Sequence, residues 1–218
     1  MLHGDGNMFF GLAWEALAWL EKNVEADMRT LETGTGASTV VFAASGAAHT
    51  AISPASEEHE RILLYCEAHD IGVDAVEFVA RASHEALMDA AGDEALDVVL
   101  IDGAHGYPYP ALDWFYAAPR IRVGGQLLID DAHLAPVNSL VASLRSDPAW
   151  SLDTVLGSRT ASFRKIDDQA PSFAAVTSSN LSFDYLPLHK RPATWARLSL
   201  LQRPALASLI ARHARRRR

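Results

Sequence analysis

Two apolar runs in this chain end in acids that are followed closely by histidine. They read Leu100-Ile101-Asp102-Gly103-Ala104-His105 and Leu128-Ile129-Asp130-Asp131-Ala132-His133. If both runs are strands of one sheet, Asp102, Asp130 and Asp131 meet at one edge, where carboxylates repel one another unless a cation or protons intervene. Hard oxygen donors of this kind suit Mg²⁺. His105 can accept a proton near neutral pH, since an unperturbed imidazole titrates at about 6.5. Blander roles stand beside these. Asp130 or Asp131 could cap the helix that starts near Pro136, Asp102 could touch a bound ligand without a metal, and His105 could be a satisfied loop histidine. His133 is one of nine histidines and is read as substrate-side at most.

A second constellation is Glu32-Thr33-Gly34-Thr35-Gly36-Ala37-Ser38-Thr39. Its glycines let backbone approach a ligand closely, and Ser38 can begin a helix. A dinucleotide fingerprint needs glycine or alanine at the third position of GxGxxG, and Thr39 stands there. A purely structural tight turn is the competing reading. Further on, Val79-Ala80-Arg81-Ala82-Ser83-His84 follows an apolar run, and Ser83 is suited to cap a helix as well as to face a ligand.

These residues need elements to carry them. MRTLE, AHTAIS, AVEFVA, LDVVLID and GGQLLIDD read as five strands. Between them, residues 37–45, 57–69, 84–91, 110–118 and 136–145 read as helices. That alternation predicts parallel βαβ units in a doubly wound α/β sheet, with ligands bound outside the carboxyl ends of the strands. SLDTVLG and TASFRKI are close enough to pair as a terminal antiparallel hairpin. Ahead of the first strand, Phe10, Trp14, Leu17 and Leu20 fall at helical spacing, which predicts a leading amphipathic helix over residues 9–23.

The glycine turn, opened by Glu32, resembles motif I of the class I S-adenosylmethionine-dependent methyltransferases. The two acidic strand ends resemble the metal-dependent O-methyltransferases of the catechol and macrocin types, and the match covers roughly residues 28–135. The resemblance implies a seven-stranded, mostly parallel Rossmann-like sheet with helices on both faces and an antiparallel hairpin at its end. It implies that Glu32, Gly34, Thr35, Gly36 and Ser38 serve the methionine end of the cofactor, that Ala82, Ser83 and His84 hold the adenine, and that Asp102 also touches the cofactor. It further implies Asp102, Asp130 and Asp131 as ligands of Mg²⁺, with Asp102 and His105 catalytic and His105 as general base. One departure matters: where the family has a ribose-binding acid after the second strand, this chain has Ser53. Ser53 could make one weaker bond, and Glu57 or Glu58 could reach back. The implied reaction is an in-line methyl transfer to a hydroxyl, in which alignment and a more acidic hydroxyl supply the rate.

Composition sets bounds. The chain's 218 residues suffice for one full domain, read as residues 1–166, followed by a loop-rich connection and basic extension over 167–218. Apolar residues make up 49% and charged residues 21%, as in a packed globular protein. Cys66 is the single cysteine, which excludes an internal disulfide framework and a cysteine-rich zinc site and fits a cytoplasmic setting. No stretch is apolar for long enough to span a bilayer. The net charge of −8 hides an asymmetry: residues 190–218 hold nine Lys or Arg and no acid, leaving −17 on residues 1–189. An acidic body argues against nucleic acid and for a small-molecule substrate or a cation, and the resemblance implies that the small molecule is hydroxylated. The basic tail could contact an anionic membrane surface, nucleic acid or the acidic body of a second subunit in a homo-oligomer, or be a solvated helix. Beside the base, Gly106-Tyr107-Pro108-Tyr109-Pro110 offers two aromatic rings for a substrate pocket, although these rings and Trp114 could equally pack the next helix. Two other functions remain open: an NAD(P)-dependent oxidoreductase, which would need the third glycine and the second-strand acid, and a non-catalytic or nucleic-acid-associated protein on the same fold.

Overall fold

The computed structural model describes residues 11–89, 94–168, 187–190 and 192. The chain divides into a unit of residues 1–171 and a second of residues 172–218. Of the second, a short 3-10 turn at Leu188–Lys190 is described, so the partners suggested for the basic tail concern residues that lie almost wholly outside the described ones.

In chain order the first unit runs α1 (Trp14–Asn23), β1 (Arg29–Thr33), α2 (Ala37–Ser45), β2 (Ala48–Ile52), α3 (Ser56–Ala68), β3 (Val76–Val79), α4 (Ser83–Asp89), β4 (Leu96–Ile101), α5 (Tyr109–Ala117), β5 (Ile121–Ile129), α6 (Ala135–Arg145), β6 (Trp150–Leu156) and β7 (Thr160–Lys165). The strands form one sheet in the order β3-β2-β1-β4-β5-β7-β6. The first five are parallel, and β7 runs antiparallel to β5 and to β6. The doubly wound sheet and terminal hairpin read from the sequence are therefore present. Strand order reverses between β1 and β4, which opens the crevice where such sheets bind ligands.

Central strands are covered on both faces, which explains their nearly continuous apolar sequence. Toward one face, Leu31, Ile52, Val99, Ile101, Leu127 and Ile129 pack with Ala86, Leu87, Ala117 and Val137 from α4, α5 and α6. Toward the other, Val98, Leu100 and Leu128 pack with Leu20 of α1 and Phe42 of α2. Helix α1 does not present the face that spacing suggested. Ala16 and Leu20 are buried, whereas Trp14 is 77% exposed. A small residue lets α1 approach α2 closely, and the large indole four residues before Ala18 is left outside; Phe10 lies outside the described residues.

The β6–β7 hairpin turns through Gly157 (φ 54°) and Ser158 (φ 61°), two left-handed residues in succession, as the right-handed twist of hairpin strands requires. That turn delivers Arg159 beside the end of β5, where its carbonyl accepts the Ala132 N–H at 2.8 Å.

Candidate active site

Parallel register brings the strand ends level. Thr33 lies opposite Ile52 and Ile101, and Ile101 lies opposite Ile129. The ladder then continues one residue further, with Gly34 N–H donating to Ile52, Ser53 N–H to Val79, Asp102 N–H to Thr33 and Asp130 N–H to Ile101. Four residues that sequence singled out thus emerge along one edge. Above them opens a cleft of about 460 Å³, lined among others by Gly34, Thr35, Ser53, Ala82, Ser83, His84, Asp102 and His105.

At the glycine turn the backbone crosses the end of β4 so closely that a Cβ at Gly34 (φ 84°) would lie 2.2 Å from the Asp102 carbonyl oxygen. Only glycine fits there. Behind the turn Glu32 is wholly buried, and one oxygen accepts the Ser38 hydroxyl at 2.6 Å while the other accepts the Thr39 hydroxyl. His49 Nε2 stands 3.3 Å from the same carboxylate, within ion-pair reach but off hydrogen-bond geometry; its Nδ1 pairs with the Thr30 hydroxyl at 2.8 Å, and its ring stacks on Phe42. Thr39 also accepts the Gly36 N–H at 3.0 Å. Thr39 thus stands at the position where a dinucleotide fingerprint has glycine or alanine for close packing of helix on strand. Glu32, Gly36 and Ser38 sit behind the turn and shape it, while Gly34 and Thr35 form its cleft-facing surface.

At the ends of β4 and β5 the carboxylates have different surroundings. Asp130 is 1% exposed, and accepts Arg159 Nη2 at 2.7 Å and the Thr160 hydroxyl. Asp131 sits in the left-handed region (φ 55°), which aspartate tolerates better than most residues; it pairs with Arg159 and stands 3.1 Å from His105 Nε2. His133 lies 3.8 Å from the same carboxylate. Among the described residues no side-chain hydrogen bond reaches the Asp102 carboxylate. Burial, then the charges of Asp130, Asp131 and Glu32, push its acid well above the usual carboxylate range, and Arg159 only partly offsets them. One guanidinium faces three carboxylates, so the cluster keeps an excess of negative charge. Asp102, His105 and Asp131 each offer one donor atom within 4.8 Å of the others, whereas Asp130 is taken up by Arg159 and Thr160.

With this geometry in view, comparison with known proteins is informative. A family model described as a methyltransferase domain matches residues 31–132, the span that runs from the glycine turn to the paired acids. That span, just under half of the chain, is similar to a methyltransferase domain. Solved structures share its fold. One is the O-methyltransferase TomG from Streptomyces achromogenes, involved in tomaymycin synthesis and solved in complex with SAM: TM-score 0.57, 18% identity, covering 72% of this chain and 82% of that one. Another is the SAH-bound methyltransferase PaMTH1 from Podospora anserina, with TM-score 0.59, 15% identity and coverage of 72% and 81%. Comparison with curated proteins finds no match.

Elsewhere at the cleft, α4 begins at Ser83, which is buried with Ala82 and His84 beside it on the cleft wall. His84 and Tyr109 rings meet at 5.3 Å. Tyr109 lines the cleft, while Tyr107 is 84% exposed and Trp114 packs against the core. Sequence reasoning missed Arg159, His49 and Asp113. Arg159 and His49 sit far along the chain from the acids they meet, one in a hairpin turn and one inside a strand. Asp113 of α5 is fully buried and pushed above the usual carboxylate range by that burial, against the pull of the Ser83 and Thr33 hydroxyls and of His84. Its nearest sequence signal was helical spacing that places it on the inner face of α5, where an acid reads as a misfit.

Proposed function

We propose that this chain transfers the methyl group of S-adenosylmethionine to a hydroxyl of a small molecule, with His105 as general base and assistance from a divalent cation. The observation that carries this reading is the cleft itself, whose lining brings together Gly34 and Thr35 of the glycine turn, Ala82, Ser83 and His84, and the two groups Asp102 and His105. The cofactor supplies a methyl group already activated on a sulfonium, and the protein's task is alignment and removal of one proton. Gly34 and Thr35 hold the methionine end, and Ala82, Ser83 and His84 flank the adenine. Asp131 stands 3.1 Å from His105 Nε2, which leaves Nδ1 as the atom that takes the proton from the acceptor hydroxyl.

The residues present fit a cation, because two carboxylates and an imidazole converge where negative charge is in excess. Asp102 and Asp131 would hold it, and a divalent ion there would lower the pKa of a neighbouring hydroxyl. Asp130, a ligand by resemblance, would join only on release from Arg159 and Thr160. The dinucleotide alternative lacks the third glycine, where Thr39 stands, and an acid directly after β2, which disfavours it.

Calorimetry with S-adenosylmethionine and with NAD, each with and without Mg²⁺, tests the reading. Heat with S-adenosylmethionine alone among the two nucleotides is the expected result. Heat with NAD and none with S-adenosylmethionine overturns it.

A further inference from the structure

The turn between β6 and β7 places a cation of the protein's own inside the acidic cluster. Arg159 Nη2 donates to one oxygen of Asp130 at 2.7 Å and to one oxygen of Asp131, and the Thr160 hydroxyl donates to the other oxygen of Asp130. Resting on the divalent cation proposed above, we infer that Arg159 sets the affinity and the ligand set of that cation's site by withholding Asp130 and half of Asp131 from it. With the guanidinium in place, the ion has Asp102, His105 and the second oxygen of Asp131. Asp130 joins only when the guanidinium is gone.

Asp131 is the shared group. Its Oδ1 pairs with Arg159, whereas its Oδ2 stands 3.1 Å from His105 Nε2. Donor atoms of Asp102, His105 and Asp131 lie within 4.8 Å of one another, and Asp130 is not among them. A cation at these three groups therefore has a positive charge on the far side of one of its ligands. Asp130 is buried and the Arg159 side chain is 21% exposed, so little water screens the repulsion between the two cations. Removing the guanidinium relieves that repulsion and frees a carboxylate, and both changes favour a hard ion that takes oxygen ligands. One guanidinium and one divalent ion together balance three carboxylates, so both can be present, with the ion held loosely.

Arg159 is not a surface arm that drifts into the cluster. Its N–H donates to the Leu156 carbonyl at 3.1 Å, and its own carbonyl accepts the Ala132 N–H at 2.8 Å. A Cβ at Gly157 (φ 54°) would lie 2.6 Å from the Ala13 Cβ, so the turn is packed against the residue before α1. The buried Nε of Arg159 has no acceptor among the described residues, and the side chain is held at its tip by the two carboxylates.

Titration of the chelator-treated full chain with Mn²⁺, an ion with the same preference for oxygen ligands, tests this by the paramagnetic resonance of the free ion. Arg159→Met binds Mn²⁺ about 10- to 100-fold more tightly than wild type, the range over which groups behind a metal's ligands alter its affinity. Arg159→Lys, which keeps the charge, stays near wild type. Arg159→Met combined with Asp130→Asn also returns to near wild type, because guanidinium and carboxylate are then removed as a pair. Thermal unfolding reports whether each variant folds; if Arg159→Met does not, Arg159→Gln carries the test, with a smaller gain in the same direction. No gain in the folded variant, or a gain that survives Asp130→Asn, overturns the role of Arg159 and leaves the cation reading standing. If neither wild type nor the Arg159 variant binds Mn²⁺, that role and the cation reading fall together, while calorimetry with S-adenosylhomocysteine reports separately on the cofactor.

Discussion

Two carboxylate centres lie at the same edge of the sheet and have opposite characters. At the end of β1, Glu32 is enclosed, and Ser38, Thr39 and His49 all turn toward it. At the end of β4, Asp102 faces a cleft with no described side chain donating to it, and its charged form is disfavoured. Buried polar groups that are fully satisfied hold structure together; those left unsatisfied store a cost that a ligand can relieve. Glu32 therefore fixes the shape of its turn, and Asp102 is available to touch what enters the cleft. Arg159 marks the border between the two characters, because it ties down Asp130 and Asp131 but does not neutralise Asp102.

The largest effect that would test this contrast is on chemistry. His105→Ala should lower methyl transfer by about 10²- to 10⁴-fold, the range for a general base, while calorimetry shows S-adenosylhomocysteine binding little changed. Loss of binding in step with turnover would place His105 in the cofactor site instead. Next in size, Glu32→Ala should cost about 3–5 kcal/mol in urea unfolding, since Ser38, Thr39 and His49 all lose the buried carboxylate they turn toward. A cost under about 1 kcal/mol would mean that water reaches the Glu32 centre and that the two regions are alike.

A smaller loss, about 2–3 kcal/mol, is expected for Arg159→Met, which leaves Asp130 charged and buried with only Thr160. Adding Asp130→Asn should restore part of it, and additive losses in that cycle would show that the pair does not hold the strand ends. The smallest effect has the opposite sign. Asp102 titrates above the ordinary carboxylate range when folded, so the unfolded chain ionises first as pH rises and stability falls through that window. Asp102→Asn escapes this. In the presence of a chelator it should match wild type in acid, where both forms are neutral, and melt about 2–4 °C higher at neutral pH. A variant that melts lower at neutral pH would show Asp102 to be satisfied, like Glu32.

Much of the fold was legible because alternating strand and helix patterns are local, and each of the five parallel strands and the five intervening helices has its own apolar signature. α1 was misread at Trp14 because helical spacing identifies a stripe of large residues but not which stripe meets a neighbour. Leu20 of that stripe is buried as its spacing suggested, but Ala16 is buried where Trp14 is not. In the site, Gly34, Ser83, Asp102 and His105 were legible because strand ends and the loops after them are recognisable one at a time.

What the sequence determined by itself is the set of groups at the cleft: a glycine turn, an Ala-Ser-His wall, three aspartates and a histidine, each fixed by a local pattern. Tertiary structure alone decided which of them are free. Arg159 reaches Asp130 across 29 residues, and His49 reaches Glu32 from a neighbouring strand. Glu58 reaches Thr35 from α3 across 23 residues. Satisfaction of a buried charge depends on partners that pairing register and helix packing bring in from elsewhere in the chain, and no local spacing encodes them.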